Sequence, residues 1–131
     1  MKAIRRFNVR SVLPDPIREL GDLASNLRWS WHTASRNLFA EMAPIRWEKA
    51  GHDPVALLSS MSAEELDALA ANPDFVTKVK TAHEDLQSYI TQPRWYQKWA
   101  DEAAGAAPAS IAYFSAEYGI TEVLPQYSGG L

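Results

Sequence analysis

Three histidines, His32, His52 and His83, and the absence of cysteine set the limits of metal and nucleophile chemistry in this 131-residue chain. Thiolate nucleophiles, zinc–thiolate centres and disulfide scaffolds are excluded outright. The histidines are too widely and irregularly spaced for any metal-ligand motif, which needs two imidazoles on one helix face or across one turn. His83 falls on the apolar side of a helical pattern and reads as a satisfied core residue. Glu64-Glu65 and Glu84-Asp85 are carboxylate neighbours on helical stretches. Adjacent helical residues point about 100° apart, so neither pair forms an acid–base dyad. No Ser/His/Asp motif order and no nucleophile elbow is present. Trp29-Ser30-Trp31 offers flat rings that cover sugar faces, but Trp31 continues the Leu20/Leu27 helix face by one turn and is expected in the core. Arg5, Arg6 and Arg10 can hold phosphate or acid groups; a solvated arm, or pairing with the acidic remainder of the chain, accounts for them as well. Gly129-Gly130 follows an apolar run, and glycines after a strand let backbone N–H groups approach a ligand closely. In open α/β sheets that is where ligands sit, although any turn can carry Gly-Gly.

The elements that must position these residues are punctuated clearly. The first thirteen residues read as an extended arm. Asp15-Pro16 predicts a helix start with Asp as N-cap, and Ile17, Leu20, Leu23, Ala24 and Leu27 share one helix face. Thr33 opens a helix with Leu38, Phe39 and Met42. Pro44 allows a short turn through Trp47 that Gly51 stops. Asp53-Pro54 opens another short helix through Leu57-Leu58. Ser62-x-x-Glu65 is a capping box before Leu66 and Leu69. Asn72-Pro73 begins the longest helix, to about Ile90, with Phe75/Val76, Val79, Ala82/His83, Leu86 and Tyr89/Ile90 inward. Pro93 ends it, and Trp95, Tyr96 and Trp99 mark one more helix. Ala103 to Pro108 reads as a linker, after which Ser110 to Ser115 is a short apolar run of a buried strand. The fold class is thus mostly α: residues 1–104 form a helical domain, and residues 105–131 form a linker with a short extended or β segment.

Composition agrees with a globular, soluble chain. It is 47% hydrophobic and 22% charged, with 13 Lys+Arg against 16 Asp+Glu, a net charge of −3. That balance argues against a nucleic-acid binder. Residues 1–36 carry seven basic and three acidic residues, and no Lys or Arg follows Lys98. The start has no apolar segment of signal-peptide type, and the longest charge-free stretch, Ala103 to Ala116, is too short and too broken by Gly and Pro for a bilayer span. A cytoplasmic location without a membrane partner is the expectation.

Two strings carry a resemblance. Leu23-Ala24-Ser25-Asn26-Leu27-Arg28-Trp29-Ser30-Trp31, with Trp47 to Leu58 (Trp-Glu-Lys-Ala-Gly-His-Asp-Pro-Val-Ala-Leu-Leu), resembles the helical N-terminal domain of α-glucan (glycogen/maltodextrin) phosphorylases of the bacterial and archaeal subclass. Ile111 to Ile120, then Leu124-Pro125-x-Tyr127-Ser128-Gly129-Gly130-Leu131, resembles the start of their catalytic region. Together the strings span nearly the whole chain. The resemblance implies that the segment after the linker opens an α/β domain of GT-B architecture. It implies pyridoxal phosphate in the full-length parent and none in this chain. The implied reaction transfers the terminal α-1,4-linked glucose of a glucan to inorganic phosphate, giving glucose 1-phosphate. By the same resemblance Gly129, Gly130 and Leu131 present backbone N–H groups to the glucosyl and phosphate groups, and Glu117 lines the same cleft. The implied partners are the glucan, phosphate and the rest of the polypeptide, with room for a homo-oligomer.

Ser128 stands where the mammalian pattern has Asn, so mammalian-type allosteric control is not implied. A glycogen or starch synthase is the alternative within GT-B. Synthases place Lys where Tyr127 stands and lack this helical front end. A non-catalytic regulatory or assembly module is the alternative outside it. Because the chain stops inside the glycine motif, it is expected to be the inactive front of a longer enzyme.

Overall fold

The computed structural model describes residues 12–103 together with 105, 108, 111–114, 120 and 121. Seven α-helices follow one another among these residues: α1 (Leu20–Ser25), α2 (Thr33–Met42), α3 (Pro44–Lys49), α4 (Pro54–Ser60), α5 (Ala63–Ala70), α6 (Pro73–Thr91) and α7 (Trp95–Glu102). Single 3-10 turns, Asp15–Ile17 and Leu27–Ser30, flank α1. No strand occurs among the described residues. Ile111–Phe114 have no regular structure and are exposed, so the expected strand is not formed there.

Local signals account for most helix starts. Asp53 Oδ1 accepts from the Val55 and Ala56 amides at 2.8 and 3.1 Å. Asn72 Oδ1 does the same for Asp74 and Phe75 at 3.0 and 3.2 Å. The capping box is complete: the Glu65 amide donates to Ser62 Oγ at 3.3 Å and the Ser62 amide to Glu65 Oε2 at 2.9 Å. Each such acceptor satisfies a helix N–H that has no partner within its own helix. The end of α3 is a Schellman motif, with His52 N–H donating to the Trp47 carbonyl and Gly51 N–H to that of Glu48, both at 3.1 Å. Gly51 and His52 both sit in the left-handed region, at φ +62° and +64°. For His52 that conformation is uncommon. It carries the imidazole to 5.3 Å from the Trp47 ring.

The long helix expected from Asp15 through Leu27 is instead three pieces. Asp15 makes no side-chain cap, and Pro14 occupies the N-cap position. The break after α1 lies at Asn26, which is extended (φ −98°, ψ 119°) and accepts the Arg28 amide on its side chain at 3.0 Å. Asn offers the backbone this local alternative to helix. The break rotates the Leu27–Ser30 turn and Trp31 off the original face. Ile17, Leu20, Leu23 and Ala24 are buried as expected, but Leu27 is exposed and Trp31 is 63% exposed. Trp31 is therefore not a core residue, while Trp29 is.

The core collects Leu38 and Phe39 of α2, Trp47 of α3, Leu57 and Leu58 of α4, Leu66 of α5 and Phe75, Val79, Ala82 and Leu86 of α6 around the α1 face. Each large apolar side chain so buried contributes about 1.5–3 kcal/mol. Trp47 stacks on Phe39 (6.1 Å, 14°) and meets Trp29 edge to face (6.3 Å, 80°). α6 packs on α1, α2, α5 and the Asp15–Ile17 turn. At 19 residues it outruns them, and Tyr89 and Ile90, expected inward, are exposed beyond the last buried residue, Leu86.

Candidate functional site

The residues to which the sequence assigns ligand contacts, Glu117, Gly129, Gly130 and Leu131, lie outside the described residues, as do Arg5, Arg6 and Arg10. The arrangement that folding does create is a polar cluster between α2 and α6. The Leu27–Ser30 turn carries Arg28, α2 begins after His32, and α6 supplies Asp85. Arg28 Nη1 donates to Asp85 Oδ2 at 2.5 Å, across 57 positions of sequence. His32 Nε2 lies 3.5 Å from the same oxygen, and His32 Nδ1 shares a 2.9 Å hydrogen bond with Ser35 Oγ. The Arg28 guanidinium also lies 4.5 Å over the Tyr89 ring, and Arg94 covers that ring at 4.2 Å.

Ser35, His32 and Asp85 are thus brought into line, which no sequence motif announced. The arrangement lacks what nucleophilic catalysis requires. Ser35 is 2% exposed, so its hydroxyl cannot meet a substrate. Asp85 is held below its ordinary carboxyl range, chiefly by the Arg28 hydrogen bond, so it stays ionised and committed to Arg28. With Asp85 ionised, the consistent tautomer keeps the His32 proton on Nε2 and lets Nδ1 accept from Ser35. His32 is the N-cap residue of α2 and Ser35 stands three residues on, so their contact ties the first turn of that helix. The cluster is a structural bolt between α2 and α6.

Beside it, between α2 and α6, runs an open groove of about 560 Å³. Leu38, Ala34 and Ala82 contribute apolar surface to it, with Asn37, Thr77 and Thr81 among the polar lining. His32 and Asp85 also line it, as do Glu41 and Lys78, where Lys78 Nζ donates to Glu41 Oε2 at 2.6 Å. The Lys78–Glu41 pair thus joins α6 to α2 along the groove, while Arg28–Asp85 ties α6 to the Leu27–Ser30 turn. Pyridoxal phosphate does not fit these residues: the groove's lysine is engaged by Glu41, and its one further cationic candidate, His32, is engaged by Ser35 and Asp85.

The remaining histidines take structural partners. His83 Nε2 lies 3.1 Å from Asp22 Oδ2 and 3.2 Å from Gln87, satisfied as expected but at the edge of the core. His52 Nε2 lies 3.1 Å from Glu48 Oε2. Among the described residues no group of three His, Asp or Glu could hold a metal ion. Glu65 has a second role that spacing could not reveal. Besides its capping contact it is paired with Arg46 of α3, which donates to both of its oxygens and to the Ser60 carbonyl. The Arg46 hydrogen bond, with help from the Ser62 amide, lowers the Glu65 carboxyl to about 2, and Arg46 is raised in turn. A charge at position 65 with a basic residue two helices earlier was the only signal in the sequence, and it is too common to single out a partner.

Comparison with known proteins extends the picture beyond the described residues. A glycogen phosphorylase of Mycobacterium tuberculosis (strain ATCC 25618 / H37Rv) is 49% identical over 133 residues, covering 100% of this chain and 15% of its own length. A maltodextrin phosphorylase of Thermococcus litoralis is 31% identical over 128 residues, covering 94% of this chain and 14% of its own. A glycogen phosphorylase of Aquifex aeolicus is 28% identical over 112 residues, covering 86% and 15%. The chain is therefore homologous to the N-terminal region of such phosphorylases and spans about 15% of their length. No solved structure matches. One family model runs from residue 13 to residue 124, through all seven helices, and by that match the chain belongs to the family described as "Protein of unknown function (DUF3417)".

Proposed function

We propose that this chain is the N-terminal part of an α-glucan phosphorylase, a glycosyltransferase that moves the terminal α-1,4-linked glucose of a glucan to inorganic phosphate and yields glucose 1-phosphate. The observation that carries the reading is the identity of 49% along all of this chain with the start of a glycogen phosphorylase. In this reading residues 1–104 are a helical support domain, and residues 105–131 are a linker with the first strand and glycine loop of a GT-B catalytic domain. Gly129, Gly130 and Leu131 present backbone N–H groups to the glucosyl and phosphate groups, and Glu117 lines the cleft. The parent uses pyridoxal phosphate bound by residues outside this chain, and it works in the cytoplasm. Among the described residues no helix is long and apolar enough to cross a membrane. In this reading the chain by itself is inactive, because the cofactor-binding residues and the rest of the catalytic region lie in the remainder of the parent polypeptide.

The full-length polypeptide, assayed with maltodextrin and phosphate, is expected to release glucose 1-phosphate. Free glucose as the product, or a requirement for a nucleotide sugar, would overturn the assignment. The 131-residue chain is expected to show neither turnover nor a stoichiometric cofactor absorbance band, and such a band would refute the statement about the chain alone.

A further inference from the structure

α7 differs from every other described α-helix in contributing no buried residue. Trp95 is 76% exposed and Trp99 40%, and their rings stack on each other at 5.9 Å with 6° between the planes. Tyr96 leans on Trp99 at 5.7 Å. Arg94 joins this group to the overhanging end of α6. Its guanidinium covers the exposed Tyr89 ring and donates to the Tyr89 carbonyl, while its amide donates to Gln97 Oε1 at 3.0 Å. An eight-residue helix is marginal in water without tertiary support. Clustered exposed aromatic rings are characteristic of surfaces that become buried against another protein surface.

We propose that the face made by Tyr89, Trp95, Tyr96 and Trp99 is the seat on which the helical domain holds the following part of its own parent polypeptide. This inference rests on the phosphorylase reading, since it takes the parent to be as long as the relatives, of which this chain spans 15%. Two features favour that occupant. α7 is the last described helix, and the Tyr96 hydroxyl donates to the Pro108 carbonyl, which ties the departing chain beside the aromatic face. The downstream polypeptide is therefore tethered next to the face at high effective concentration. The matching surface is an apolar patch that covers the exposed Trp95 and Trp99 rings.

Hydrogen exchange on the full-length polypeptide and on the 131-residue chain tests this. Amides of residues 95–102 are expected to exchange on the order of 100-fold more slowly in the full-length protein, independently of protein concentration. Trp95→Glu combined with Trp99→Glu should return them to the rate of the short chain, with amides from Val79 to Leu86 still protected as evidence that the core is intact. Trp95→Gln alone should give a partial return if the double variant proves insoluble. Equal exchange in the two proteins would overturn the proposal. So would protection that grows with concentration while light scattering shows a doubled mass, because the occupant is then a second copy. Maltodextrin phosphorolysis on the same preparation keeps the two readings apart. An active enzyme with fast-exchanging α7 sinks the seat alone, and an inactive polypeptide with protected α7 sinks the phosphorylase reading alone.

Discussion

Trp29 and Trp47 meet edge to face inside the helical core, whereas Trp95 and Trp99 stack on each other in the open. The two pairs use the same residue type in helical segments of one chain. The first pair is enclosed because the α3 turn, the Asn26 break and the α2 face converge on it, with Phe39 closing the stack. The second pair lies past the last buried residue of α6, on a helix that buries none of its own residues. An aromatic residue on a helix face announces apolar surface to be covered. It does not say whether the cover comes from within the same domain.

This contrast is sharpest under truncation. Phe39→Ala removes a fully buried ring from the Trp47 stack and is expected to cost about 3–5 kcal/mol in urea denaturation. Trp31→Ala, although it lies close to buried Trp29 in sequence, should change stability by no more than about 0.5 kcal/mol. A comparable loss at Trp31 would mean that the Asn26 break does not persist in solution. In the same format Asp85→Ala is expected to cost about 1–2 kcal/mol, because it leaves the largely buried Arg28 side chain without its carboxylate. The half-exposed position of Asp85 limits the loss. Asp85→Asn keeps an acceptor for Arg28 and should cost less; equal losses for the two variants would deny the hydrogen bond its role.

The smallest effect concerns Arg46–Glu65. The folded state holds the Glu65 carboxyl at about 2 against an ordinary value of 4.5. The folded state therefore binds this proton less readily than the unfolded chain. The pair's contribution is complete above about pH 4.5 and is lost as pH falls toward 2. Comparing the pH dependence of the unfolding free energy for the parent and Glu65→Gln should show a slope in that window that only the parent has. Identical slopes would mean that solvent screens the pair in the folded protein.

Residue types alone placed the starts of α4, α5 and α6, because Asp53, Ser62 with Glu65, and Asn72 act on amides two or three positions away. They also placed the apolar faces of α2 and of α6 as far as Leu86, since a helix repeats its geometry without reference to neighbours. The strings around Trp29, Trp47 and Gly129 were enough to indicate the phosphorylase relatives, which the comparisons then found. The strand at Ser110 to Ser115 needs hydrogen-bonding neighbours that the described residues do not include.

The Arg28–Asp85 and Arg46–Glu65 pairs were not legible, because partners 57 and 19 positions apart meet only when particular helices pack together. Trp31 and Tyr89 were misplaced for a related reason. Helical periodicity assumes that the helix continues and that a neighbour covers its face, and Asn26 ends the first condition while α6 outruns the second. Local hydrogen bonds act over a few residues and are written in the order of the amino acids. Burial is a property of which surfaces meet, and for this chain only the packing of α1 to α6 decided which tryptophans became core and which were left as a face.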